Sequence, residues 1–96
     1  MEEIIRRDES KYIIIRKKGE EKEYYNGGII YGYDKDKILR VSHAKWSKTF
    51  NPIHAVYRLD LAKDIIDGIR KYGRVKCNYT IAEIQTTTAI INYIEH

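Results

Sequence analysis

Several things are scarce in this 96-residue chain, and each scarcity closes a door. There is one cysteine, Cys77, so no internal disulfide can staple the fold, which fits a reducing, intracellular setting. No apolar run approaches the roughly 18–20 residues that cross a bilayer as a helix, so no membrane partner is expected. Met1-Glu2-Glu3 is acidic, the wrong charge for a secretory leader. The sequon Asn78-Tyr79-Thr80 therefore carries no expectation of glycosylation. There is one proline, Pro52, and no low-complexity tract or repeat, so a single domain over 1–96 is expected. No phosphate-binding loop, dinucleotide fingerprint, RNP, KH or zinc-finger pattern occurs. Nothing in the sequence calls for a cofactor.

What is present is one-sided. Residues 37–76 hold ten Lys/Arg against three Asp and no Glu, while the remaining residues hold eight Lys/Arg against eleven Asp/Glu. A formal net charge of +4 is thus a +7 segment joined to a −3 remainder. The basic segment also carries the only Trp, the only Phe and two of the three His. Cations clustered beside aromatics suit a polyanion. Seventeen Ile and nine Tyr, with a single Gln and a single Met, favour strands and give a thermophile-like balance, although AT-rich coding would inflate the same residues.

The expected architecture is α+β: a small antiparallel β-meander followed by a strand-helix-strand unit. Ile4-Ile5 starts a short strand, and Lys11–Lys17 reads as a buried one. The charged segment Glu21–Tyr25 suits an edge. Asn26-Gly27-Gly28 is the strongest hairpin signal, joining Glu21–Tyr25 to Ile29–Tyr33. A turn at Asp34–Asp36 leads to a strand over Ile38–Ala44, a long loop over Lys45–Pro52 and a short strand over Ile53–Arg58. One amphipathic helix is expected at about 60–73, with Ala62, Ile65, Ile66, Ile69 and Tyr72 on one face. Asp60 is its expected N-cap, Lys63–Asp67 and Asp67–Lys71 its i,i+4 pairs, and Gly73 its left-handed terminator. Gly68 is costly inside a helix and points to close approach by another backbone. Arg74–Ala82 alternates, with Val75, Cys77, Tyr79 and Ile81 on one face. The tail admits two readings, a helix starting at Thr86–Thr88 or a strand over Ala89–Ile94, with the helix favoured.

The segment Val56–Gly73, VYRLDLAKDIIDGIRKYG, resembles a stretch of small uncharacterised proteins from viruses of hot-acid crenarchaea such as Sulfolobus. It covers about a fifth of the chain and has no catalytic signature. The resemblance implies a cytoplasmic protein of an infected host cell, in a class where DNA-binding regulators and inhibitors of host factors are common.

A non-enzymatic binding module is the leading expectation. Nucleic acid, DNA or RNA, is assigned to Lys45, Trp46, Lys48, Arg70, Lys71, Arg74 and Lys76, where cations neutralise phosphates and Trp46 stacks on a base. A solvated charged surface accounts for the same residues without a ligand. Arg70 and Lys71 also suit the helix dipole, which leaves Lys45, Lys48, Arg74 and Lys76 without a local structural reason. The alternative is a protein-binding module, such as an inhibitor of a host protein, acting through Tyr31 and Tyr33. A small nuclease is the third reading. Ser42, His43, Ser47 and Cys77 supply suitable residue types but no diagnostic spacing, so no catalytic residue is assigned. His43 and His54 lack structural-zinc spacing, so no metal is expected. A thin core favours a homodimer.

Overall fold

The computed structural model describes residues 6–95, and the expected strand at Ile4-Ile5 lies outside them. The chain forms two antiparallel sheets and one helix, an α+β fold. Strand β1 (Arg6–Lys18) turns at Gly19 into β2 (Glu21–Tyr25). Strands β3 (Ile29–Tyr33), β4 (Leu39–Ser42) and β5 (Trp46–Ser47) follow. After a 3-10 turn at Pro52–His54 come helix α1 (Leu59–Tyr72) and strand β6 (Asn78–Ala89). The larger sheet has the order β5-β2-β1-β6, and β3 pairs with β4 in a second, two-stranded sheet.

Asn26-Gly27-Gly28 is not a hairpin turn. Beyond it, β3 pairs with β4 and not with β2. Asn26 N–H donates to Lys45 C=O, and Lys45 N–H donates to Gly27 C=O, both at 2.8 Å. Gly27, at φ +95°, bends a run that continues from β2 into β3, while residues 39–47 return antiparallel beside it. The true hairpin tip is Asp34–Ile38. There Asp34 Oδ1 accepts from the N–H groups of Asp36 (2.8 Å) and Ile38 (3.0 Å). An Asx-type bond of this kind closes a turn without glycine.

The strand-helix-strand unit is reduced at its start. Of Ile53–Arg58 only Val56 pairs, exchanging two 2.7 Å backbone bonds with Tyr12 of β1. Pro52 lacks a backbone donor and starts the 3-10 turn, capped by Asn51 Oδ1 accepting from Ile53 N–H. The strand after the helix begins at Asn78, so Arg74–Cys77 form a non-strand link. Strand β6 then runs antiparallel to β1 through Ala89. Thr86–Thr88 therefore belong to a strand and cap no helix, as β-branched residues on a pleated surface prefer. Residues 90–95 have no regular structure.

Helix α1 starts one residue earlier than its pattern implies. Its N-cap is Arg58, in extended conformation with no side-chain cap bond, and Asp60 sits inside the first turn, 3.5 Å from Arg58. Gly73 follows the helix at φ −82°, not in the left-handed region. Its requirement is space, because a Cβ there would fall 2.4 Å from Ile69 C=O. Ala62, Ile65, Ile66 and Ile69 are buried as the periodicity requires, against Ile14, Tyr25, Leu39, Val41 and Val56. Gly68 permits the contact with β4, since a Cβ there would fall 2.1 Å from Leu39 C=O.

Candidate nucleic-acid interface

A cleft of about 790 Å³ opens between the β3–β4 hairpin, the C-terminal end of α1 and the front of the larger sheet. Its cations are Arg16, Arg40 and Arg74, with His43 beside them. Its rings are Tyr31, Trp46, Tyr72 and Tyr79, and no Asp or Glu lines it. Each is placed by a local feature. Arg16 projects from β1 opposite Tyr79 of β6. Trp46 sits in β5 opposite Tyr25 of β2. Arg74 lies on the link that leaves the helix after Gly73.

Tyr31 enters by way of a β-bulge. The pairing shifts register between Ile30 and Gly32, so Tyr31 is an extra residue in β3, and Gly32 at φ +109° accommodates the bend. Bulges re-aim side chains. Tyr31 and Tyr33 therefore meet different neighbours. Tyr31 lines the cleft, its hydroxyl 3.4 Å from the Ser42 hydroxyl. Tyr33 instead donates to Asp64 Oδ2 at 2.7 Å, and that bond is the main reason its phenol pKa lies above the ordinary value.

Trp46 is held from several sides. It meets Tyr25 edge-on (5.7 Å between centroids) and tilts against Tyr79 (6.0 Å). The Arg16 guanidinium lies 4.5 Å above its ring, and Arg16 Nη2 also pairs with Glu23 Oε1 at 3.0 Å. Such a stack desolvates both groups and fixes the arginine. Trp46 thus forms the floor of the cleft rather than a free stacking platform. Tyr31 and Tyr72 are the exposed rings at its rim. Burial raises the phenol pKa of Tyr79.

The cations singled out by sequence separate into distinct groups. Arg74 lines the cleft, and Trp46 floors it. Arg70 lies over Tyr79 at 5.4 Å and lines a shallower hollow with Leu59, Lys63 and Asp67. Lys71 is a strut. Its ammonium contacts Asp34 Oδ2 at 2.5 Å and Asp36 Oδ2 at 3.4 Å, tying the hairpin tip to the helix end, and neither Lys63–Asp67 nor Asp67–Lys71 forms an ion pair. Tyr72 also donates to Asp34 Oδ2. These bonds, the one from Lys71 first, hold the Asp34 carboxyl well below the usual carboxylate range and raise the Lys71 ammonium. Lys45, Lys48 and Lys76 are exposed and lie outside the cleft lining.

Arg16 and Arg40 complete the basic lining and were not singled out by the sequence. Arg40 carries a usable signal, since it lies in the basic segment and alternates with buried Leu39 and Val41. Arg16 carries none, because it belongs to the acidic remainder and reaches the site only through β1–β6 pairing. Neither Arg40 nor Arg74 has a carboxylate partner among the described residues. Among those residues no group of three or more His, Cys, Asp or Glu converges as a metal site, and no helix is long and apolar enough to cross a membrane. Comparison of the chain with protein-family models, curated proteins and solved structures finds no match.

Proposed function

We propose that the protein binds single-stranded nucleic acid in the arginine-lined cleft. The supporting observation is the lining itself: three arginines and four aromatic rings around about 790 Å³, with no carboxylate. A phosphate is drawn by Arg40 and Arg74, whose guanidinium groups offer paired donors. A base stacks on Tyr31 or Tyr72, a contact worth about 1–3 kcal/mol and indifferent to base identity. Arg16 on Trp46 supplies fixed positive charge at the floor. The cleft suits a splayed strand better than a duplex, because stacking on its rings needs unpaired bases. An intracellular setting and a kinship with crenarchaeal viral proteins belong to the same proposal, on the grounds of the single cysteine and the resemblance of residues 56–73.

Trp46 is the only tryptophan, so its fluorescence reports the cleft directly. Titration with oligo(dT) or oligo(U) at low salt is expected to shift or quench it. Affinity should fall with salt, and each of Arg40→Ala and Arg74→Ala should flatten the log–log slope by about 0.7. Lys45→Ala with Lys48→Ala should alter it far less. No fluorescence response and no retention of either oligomer at low salt would reject the proposal.

A protein-binding reading draws on a different observation, the exposure of Ile29, Ile30, Tyr31 and Tyr33 along β3. It predicts a complex that survives Arg40→Ala with Arg74→Ala and is lost with Tyr31→Ala.

A further inference from the structure

We propose that β6 is the dimer interface, pairing antiparallel with β6 of a second copy about a two-fold axis at Ile84. The proposal goes beyond the cleft and does not depend on it.

Strand β6 is the edge of the larger sheet, and it is long for an edge. Its twelve residues, NYTIAEIQTTTA, include one charge, Glu83, and neither lysine nor proline. Monomeric proteins guard such edges with charges, prolines, bulges or short strands. The β1 ladder runs without interruption from Asn78 to Ala89, so there is no bulge, and the single charge of Glu83 is the strand's one guard.

The direction of the free backbone groups follows from the pairing. Tyr12 gives both its N–H and its C=O to Val56, on the side of β1 away from β6. Tyr12 lies opposite Glu83, so the two form a non-hydrogen-bonded pair, and the N–H and C=O of Glu83 point outward. With a period of two, those of Tyr79, Ile81, Gln85, Thr87 and Ala89 do the same.

Register then narrows to one solution. A two-fold centred on Glu83 would set two carboxylates directly opposite each other, which is destabilising. A centre at Ile84 puts Glu83 opposite Gln85, Ile81 opposite Thr87 and Tyr79 opposite Ala89, using every outward residue of the strand. It also gives the chain beyond β6 a partner. Beyond Ala89 the chain, with Ile91 90% exposed, is carried toward the partner's residues before Asn78, where Val75 is 51% exposed. One isologous contact thus covers the bare edge and brings exposed apolar positions of both copies together.

Sedimentation equilibrium of the wild-type protein should give a dimer, twice the 11.4 kDa chain. Gln85→Pro removes an outward N–H while leaving the bonds to β1 intact, a position where proline is tolerated in an edge strand. It should yield a folded monomer by circular dichroism. In a Cys77→Ser background, Ile84→Cys should cross-link across the axis on mild oxidation, because a non-hydrogen-bonded pair sets Cα atoms about 4.5 Å apart, within disulfide range. A monomeric wild type, or a Gln85→Pro variant that still dimerises, would overturn the proposal. Failure of Ile84→Cys to cross-link would overturn the register.

Discussion

Gly68 shows how one missing side chain sets the geometry of the molecule. In an exposed helix interior, Gly→Ala gains about 1 kcal/mol. Here the new Cβ would sit 2.1 Å from Leu39 C=O and 3.0 Å from Val41 Cγ2. The carbonyl belongs to a paired strand and has little freedom to move, so helix and sheet must separate. Overpacking of this kind costs about 1–3 kcal/mol, enough to reverse the sign of the propensity gain. Gly68→Ala should therefore lower the urea midpoint, whereas alanine at an exposed helical position such as Lys63 should leave it nearly unchanged. The close approach was legible in the sequence, because an interior helical glycine demands a reason. That the approaching backbone is β4 was not, since nothing local links residue 39 to residue 68.

At the scale of elements, the hairpin tip and the helix end are bolted together through Asp34. Its carboxylate, 5% exposed, accepts from Lys71 and Tyr72 and also closes its own turn. A carboxyl whose pKa is depressed on folding stabilises the fold above its unfolded value and loses that contribution as pH falls toward the folded one. The raised Lys71 ammonium acts in the opposite sense: its contribution is complete below the unfolded lysine value and fades as pH rises through the folded one. The hairpin should thus loosen from the helix in acid below about pH 4 and again in strong alkali. Asp34→Asn should remove most of the acid-side dependence, read as a flatter pH profile of the urea midpoint. The sequence marked Asp34 as a turn residue and Lys71 as an intrahelical partner. It missed their pairing because i,i+4 spacing is visible in a sequence and a contact across 37 residues is not. The Asn26–Gly28 misreading has the same origin. Local turn chemistry reports a bend but not which strands flank it, and here residues 45–47 lie beside β2 where a hairpin would have placed β3. Helix α1 was read within a residue at each end, because its periodicity is local and its apolar face is the core.

For the whole molecule, stability is concentrated at one end. The dimensions are 57 × 35 × 22 Å and the radius of gyration is 16.9 Å, against about 12–13 Å for a compact chain of this length. The excess comes from the outer half of the β1–β6 ribbon, where Arg6–Ser10 are exposed opposite Gln85–Ala89. Beyond Tyr12, with Val56 the last partner on its other side, the ribbon has only two strands, held by contacts such as Thr87 Oγ1 to Asp8 at 2.7 Å. Two strands with no packed face are marginal in water. Ile14, on the same strand, is 1% exposed against α1 and Tyr25. One strand therefore spans nearly the full range of local stability, from fraying to global unfolding. In the monomeric Gln85→Pro variant, the β6-bonded amides of Arg7, Glu9, Lys11 and Ile13 should exchange progressively more slowly along the strand, with the arm exchanging almost as an unfolded peptide and Ile14 only by global opening. In the wild type the second β6 makes the ribbon part of a wider sheet, so the amides of Ile81, Thr87 and Ala89 should gain protection while that of Ile14 changes little. Equal exchange of the Ile81, Thr87 and Ala89 amides in the two proteins would mean that the arm stands alone in solution.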